Sequence, residues 1–241
     1  MSAAPSRRDV IAATSLAVGA IAAAATTLSP AQAQTAPATA GAKFEYKPKP
    51  MPFEPTKVKG LSEKLLVSHY ENNYLGAVRR LNAITAQLAT LDVATAPVFV
   101  LNGLKREELI AAGSMTIHEL YFDCLGGGGE PGGALAEAIT RDFGSVARWK
   151  AEFSATGKAL GGGSGWVMLS YAPRDRRLIN TWAADHTMAL AGARPILALD
   201  MYEHAYQMDH GAKAAAYVDA FMQGIRWSNV AALYERYASG A

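Results

Sequence analysis

Four side chains of this chain have the types and spacing to hold a metal ion. Asp200 and His204 are four residues apart in Asp200-Met-Tyr-Glu203-His204-Ala-Tyr206. In a helical first turn that spacing puts a carboxylate and an imidazole on one face. Two more histidines, His69 and His118, lie far upstream in stretches that read as helices. Histidine is the commonest metal ligand, and neutral imidazole suits iron, manganese, zinc and copper alike. Each of the two has apolar neighbours on both sides, where a single histidine is ordinarily a hydrogen-bonded core residue; the pair together with D-x-x-x-H argues for a shell. Three imidazoles and one carboxylate leave a trivalent ion with excess positive charge and an open position. Such a centre attracts small anions and can cycle between +3 and +2. Zinc favours closed Cys/His shells or hydrolytic three-ligand sites, so a redox metal fits this donor set better.

The rest of the composition excludes several other chemistries. Cys124 is the only cysteine, which rules out an intrachain disulfide and Cys-rich zinc or iron–sulfur sites. It follows an apolar helix and reads as a packed core thiol. No Lys/Arg stripe interleaves with aromatics, so no nucleic-acid surface is expected. Gly127-x-Gly129-x-x-Gly132 matches the dinucleotide fingerprint formally, but it follows a helix and contains Pro131 instead of joining a strand to a helix. Gly161–Gly165 lacks the Lys-Ser/Thr of a phosphate loop. Both glycine clusters read as turns.

The elements that must position the four residues follow from hydrophobic period and breakers. Ser6-Arg7-Arg8-Asp9-Val10-Ile11, the Ala-rich run to Leu28 and Ala31-Gln32-Ala33 read as a twin-arginine export signal over residues 1–33, cleaved after Ala33. Its apolar run is too short and small-sided for a membrane span, so no stable anchor is expected after cleavage, and the location expected is the periplasm. Cleavage leaves a formal charge of about +1, against +2 for the whole chain. Residues 34–60, rich in Pro, Ala and Lys, read as an extended arm. Residues 61–129 read as a helical hairpin: one long helix from Leu61 to about Ala89, a connection from Leu91 to Gly103 broken by Pro97, and a second helix from Lys105 to Leu125. Residues 130–241 read as a mixed part. Helices are expected over Ala134–Phe143 and Ser145–Leu160, and strands over Gly165–Tyr171, Leu178–Ala183 and Ile196–Leu199. Helices follow over Met201–Met208, Ala212–Met222 and Trp227–Tyr237. The fold class is α+β, a long N-terminal helical hairpin followed by a C-terminal α/β part with a small three-stranded antiparallel sheet.

The segments around the four residues resemble, in order, those of the iron/manganese superoxide dismutases. His69-Tyr-x-x-x-Tyr74 resembles the family's first-ligand segment and His118-Glu-Leu-Tyr-Phe-Asp-Cys-Leu its second. Phe143-Gly144-Ser145 and Gly163-Ser164-Gly165-Trp166 look like its internal landmarks, and Asp200-x-x-Glu203-His204-Ala-Tyr206 is similar to its closing D-x-W-E-H-A-Y. The resemblance runs from about Met51 to the C-terminus. It implies one iron or manganese per chain, iron preferred, on His69, His118, Asp200 and His204, with superoxide as substrate. It implies that Glu203 bridges to a second copy in a homodimer or higher homo-oligomer. It implies that His186, in Asp185-His186-Thr187, hydrogen-bonds the solvent position, the helical alternative being occupied by Ser114. Tyr74 and Trp166 are expected to wall the cavity, Tyr74 with a catalytic role. The chain departs from the pattern at the gateway: Ala77 stands for its Tyr, Asn73 for its His, Gln207 for the second Tyr after E-H-A, and Tyr202 for the Trp. Those changes leave open a metal-binding protein of this fold without turnover, and the three-His, one-Asp shell leaves open a zinc hydrolase.

Overall fold

The computed structural model describes residues 44–240. The twin-arginine segment and its cleavage point lie outside them. Among the described residues, no helix is long and apolar enough to cross a membrane.

The arm runs extended from residue 44, with one short turn at Pro55–Lys57. It is tied down by polar contacts near its start. The Asn82 side chain bonds both backbone groups of Tyr46, and the Tyr70 hydroxyl donates to the Lys49 carbonyl at 2.6 Å. Gly60 ends the arm with φ +81, a conformation that L side chains avoid, and a Cβ there would lie 2.8 Å from the Ala220 Cβ.

The first long helix has three parts. α1, Glu63–Ser68, starts at Ser62, whose hydroxyl accepts from the Leu65 N–H. Asp209 in turn accepts from both the Ser62 N–H and its hydroxyl, which fixes the helix start to the far end of the chain. A π-helical turn, His69–Tyr74, follows, then α2, Leu75–Thr90. The Leu75 N–H bonds the Tyr70 carbonyl, five residues back. The extra residue this turn accommodates re-aims the side chains around it, as such turns do at functional sites. α3, Val98–Asp123, runs back against α2. It begins seven residues before the expected Lys105, because Pro97 caps the helix instead of breaking the connection: a missing N–H costs nothing there.

α4, Gly133–Phe143, and α5, Val146–Ala159, agree with expectation, and the Ser145 hydroxyl caps α5 by accepting from the Arg148 N–H. β1, Trp166–Ala172, β2, Arg177–Ala183, and β3, Arg194–Asp200, form an antiparallel sheet in the order β2-β1-β3. Every residue of β1 is buried, since helices pack on the sheet from both sides. That is why its sequence is apolar at every position but Ser170, with no alternation. β3 is an edge strand, which is where Pro195 is tolerated. The expected helix over Met201–Met208 is replaced by a 3₁₀ turn, Glu203–Ala205, and a single helical turn, α6, Gln207–His210. α7, Ala214–Gln223, and α8, Trp227–Ala238, close the chain. One buried apolar cluster runs from Leu65 and Leu66 of α1 through Tyr121 of α3 to Trp166, Leu199, Tyr217 and Val230. The structure has the expected α+β architecture.

Candidate metal centre

The ligating atoms of His69, His118, Asp200 and His204 all lie within 4.8 Å of one another. They come from four elements: the start of the π turn, the last two turns of α3, the last residue of β3, and the 3₁₀ turn. Asp200 and His204 therefore do not share a helical face. The strand delivers the carboxylate, the chain turns through Met201 and Tyr202, and the 3₁₀ turn returns the imidazole. The Met201 N–H bonds the Gly165 carbonyl at 2.9 Å and holds that turn on the sheet.

Asp200 Oδ1 accepts from the Tyr202 N–H at 2.8 Å, so the carboxylate plane is set and Oδ2 faces inward. Three imidazole Nε2 atoms converge on Oδ2: His69 at 3.1 Å, His204 at 3.2 Å and His118 at 3.5 Å. Donors about 2.1 Å from a shared centre sit about 3.0–3.6 Å apart when bond angles are near 90–120°, and the three distances from Asp200 Oδ2 fall in that range.

The tautomer of His118 sharpens the case. Its Nδ1–H donates to the Ser114 carbonyl at 2.7 Å, so Nε2 carries the lone pair. That Nε2 is buried, has no hydrogen-bond partner, and faces a carboxylate oxygen. Two electron pairs facing each other in a buried site are mutually repulsive, and a cation between them relieves both. The residues present therefore fit a metal ion. Burial also favours the ligating, neutral form of His69 and His118. It pushes His118 down to about 3 and lowers His69, against the opposing pull of Asp200. At Asp200 burial favours the protonated acid, but hydrogen bonds from His204 and His69 outweigh it and hold the carboxyl well below the usual carboxylate range.

A cavity of about 270 Å³ reaches this cluster from the surface. His118 and His204 lie at its floor with His186, and Asn73, Gly76, Ala77, Ala111, Ser114 and Arg80 are among its walls. His186 is half-buried in the loop after β2, and its ring stacks on Tyr202 at 4.8 Å and 10°. The indole N–H of Trp166 donates to His186 Nδ1 at 3.0 Å. The neutral ring must then carry its own proton on Nε2, on the opposite side. The sheet register that pairs Trp166 with Asp200 thus links the ligand carboxylate and His186 through one side chain. Gly113 of α3 fixes the backbone below: a Cβ on it would lie 2.0 Å from the His186 carbonyl oxygen.

Two expected wall residues are elsewhere. Tyr74 is buried, but the π turn points it toward the arm. Its hydroxyl accepts from the Lys49 N–H at 2.7 Å and donates to Glu119 at 3.0 Å, and Lys49 and Glu119 also form an ion pair. Trp166 stands behind the cavity, packed edge-on against His118 at 5.1 Å. The Tyr74 hydroxyl, expected at the cavity, is bonded between the arm and α3. Tyr74→Phe will accordingly cost about 1–3 kcal/mol through the unpaired groups left behind, a fall in melting temperature of about 2–12 °C at this size. Turnover per bound metal will stay within twofold. A normal melting curve with reduced turnover would return Tyr74 to the catalytic set. Gly113 and Arg80 carried no sequence signal, because each matters only through a neighbour distant in the chain.

Fold and site together define an α+β protein with a buried three-His, one-Asp metal centre open to solvent through a narrow cavity. Residues 131–233 match the family model "Iron/manganese superoxide dismutases, C-terminal domain". The chain is 72% identical over 178 residues to "Superoxide dismutase [Fe]" of Cupriavidus metallidurans, covering 74% of this chain and 90% of that protein. It is 36% identical over 179 residues to "Superoxide dismutase [Mn] 2" of Haloferax volcanii (73% and 88% covered). It is 33% identical over 191 residues to "Superoxide dismutase [Fe]" of Aquifex pyrophilus (76% and 88%). The chain belongs to the iron/manganese superoxide dismutase family.

Proposed function

We propose that this chain dismutes superoxide to dioxygen and hydrogen peroxide at one iron or manganese ion held by His69, His118, Asp200 and His204, with iron preferred. The observation that carries the ligand assignment is the bare His118 lone pair facing Asp200 in a buried site. A bound iron or manganese ion supplies a one-electron couple, oxidising one superoxide and reducing the next. The chain's own residues do the rest. The Asp200 carboxylate lowers the charge of the centre and, by its strength as a donor, sets the potential of the couple. His186, locked with its proton on Nε2, offers a hydrogen-bond donor at the cavity floor and stands near the oxygen that must gain protons. The cavity admits a diatomic anion, and its replaced gateway residues, Ala77 and Asn73, make it wider than a Tyr and His would.

The same reading includes export by the twin-arginine route and a periplasmic location, supported by Arg7-Arg8, the Ala-rich run and Ala31-Gln32-Ala33. It also includes a homodimer in which Glu203, exposed one residue before His204, reaches a ligand histidine of the second copy.

The test is elemental analysis of protein purified from its native source, with superoxide turnover on the same sample. One iron or manganese per chain with turnover supports the reading. One metal per chain without turnover, or zinc, sinks it. Sedimentation of the protein and of Glu203→Ala tests the dimer: the variant should shift toward monomer.

A further inference from the structure

Arg80 lies on α2 three residues, just under one turn, beyond Ala77, and it lines the same cavity as His118, His186 and His204. Among the described residues lining that cavity, it is the one carrying a full charge under neutral conditions. Of the lining residues, His118 is buried, whereas the Arg80 side chain is 54% exposed. Its guanidinium pairs with Glu107 of α3, and Arg106 bonds the other oxygen of the same carboxylate at 3.4 Å. Two guanidiniums thus share one carboxylate, so Glu107 anchors Arg80 without cancelling the local positive charge. Asp185 stands on the neighbouring loop and is tied to its own turn by Thr187. Arg79, on the adjacent position, instead donates to the Glu71 carbonyl. Gly76 and Ala77, which line the same cavity, carry side chains too small to screen Arg80.

We infer that Arg80 is the anion-guiding residue of this site: held by Glu107 at the cavity mouth, it draws a small monoanion inward past Ala77 toward the open position at His118 and His204. With the proposed function, that anion is superoxide, and the inference rests on that reading only for the identity of the substrate. A cation at the mouth of a low-dielectric cleft raises the local concentration of an anion and its rate of arrival, and salt weakens the effect.

The experiment is titration of azide, a linear monoanion, into the metal-loaded full chain, followed by visible absorption, beside superoxide kcat/KM at several ionic strengths. Arg80→Gln should weaken azide binding and lower kcat/KM by about three- to tenfold, and should flatten the salt dependence. Arg80→Lys should restore most of both. Glu107→Gln releases the guanidinium from its counter-charge, so azide should bind more tightly than to the unsubstituted protein. It also provides the readout if Arg80→Gln folds poorly. Azide affinity within twofold of the unsubstituted protein in both Arg80→Gln and Glu107→Gln would overturn the inference. Azide affinity that depends on Arg80 in a protein without superoxide turnover would uphold the anion site and overturn only the substrate.

Discussion

Asp200→Asn should purify as a folded protein holding less than about a tenth of the metal of the unsubstituted chain, with superoxide turnover below about 1%. The four donors make unequal contributions. Metal centres with four protein donors bind with about 10–16 kcal/mol, or about 3 kcal/mol per donor, so losing an average one weakens binding more than 100-fold. Asp200 is more than average, being the only anion among the four ligating groups. The fold should survive, because Asn has nearly the same volume and its carbonyl can still accept from the Tyr202 N–H that fixes the turn. The substitution also removes a fully buried charge that, without a metal, is compensated only by imidazoles. Stability lost should therefore equal the metal's contribution alone. A site 100-fold saturated adds about 2.7 kcal/mol, or about 5–10 °C in a chain of this size. Calorimetry should place the variant at the melting temperature of the metal-stripped unsubstituted protein. Near-stoichiometric metal in the variant would show that Oδ2 is not a ligand.

The quartet was legible in the sequence, but partly for the wrong reason. D-x-x-x-H suggested one face of a helix, whereas Asp200 ends a strand and His204 sits in a 3₁₀ turn. Spacing alone did not distinguish the two, since the four intervening bonds can close on themselves in either geometry. Strands and the later helices were legible because burial imposes a period or an apolar run on them. The π turn was not. It differs from its α surroundings by one hydrogen-bond offset, which leaves no residue signature, yet it decides that Tyr74 faces the arm and His69 faces Asp200. The start of α3 was missed because Pro97 reads the same way as a breaker and as a cap. Asn73 and Ala77 were identified as departures at the gateway, and both do line the cavity. Arg80, three residues beyond Ala77 on α2, became visible as a cavity residue only when Glu107 and the cavity wall were in place.

The second large effect should come from His186. His186→Ala keeps all four ligand donors and should keep metal near one per chain, while turnover per metal falls about 10–100-fold, the usual cost of losing a group that supports a metal site from outside its ligands. The reason lies in the chain of contacts from the sheet. β1 pairs Trp166 with Asp200, the Trp166 indole N–H donates to His186 Nδ1, and the His186 ring is sandwiched on Tyr202, which in turn stacks on His204 at 5.3 Å. Each contact specifies one property of His186: the indole its tautomer, Tyr202 its ring plane, Gly113 the height of its backbone. Those properties can be altered one at a time. His186→Gln keeps a donor of similar reach and should recover part of the turnover. Trp166→Phe keeps most of the packing and removes the N–H, so Nδ1 of His186 is no longer committed and the proton can move to it; turnover should fall severalfold at full metal content. Gly113→Ala should push the His186 loop outward, because its Cβ would collide with the His186 carbonyl at 2.0 Å, a separation real structures do not tolerate. It should therefore lower turnover without touching any ligand. Visible absorption of the metal-loaded variants separates a role at the centre from a merely structural one, since only the former shifts the band. If His186→Ala turns over within twofold of the unsubstituted protein at equal metal content and with an unshifted spectrum, protons reach the cavity by another route, and the ordered stack from Trp166 to His204 serves packing alone.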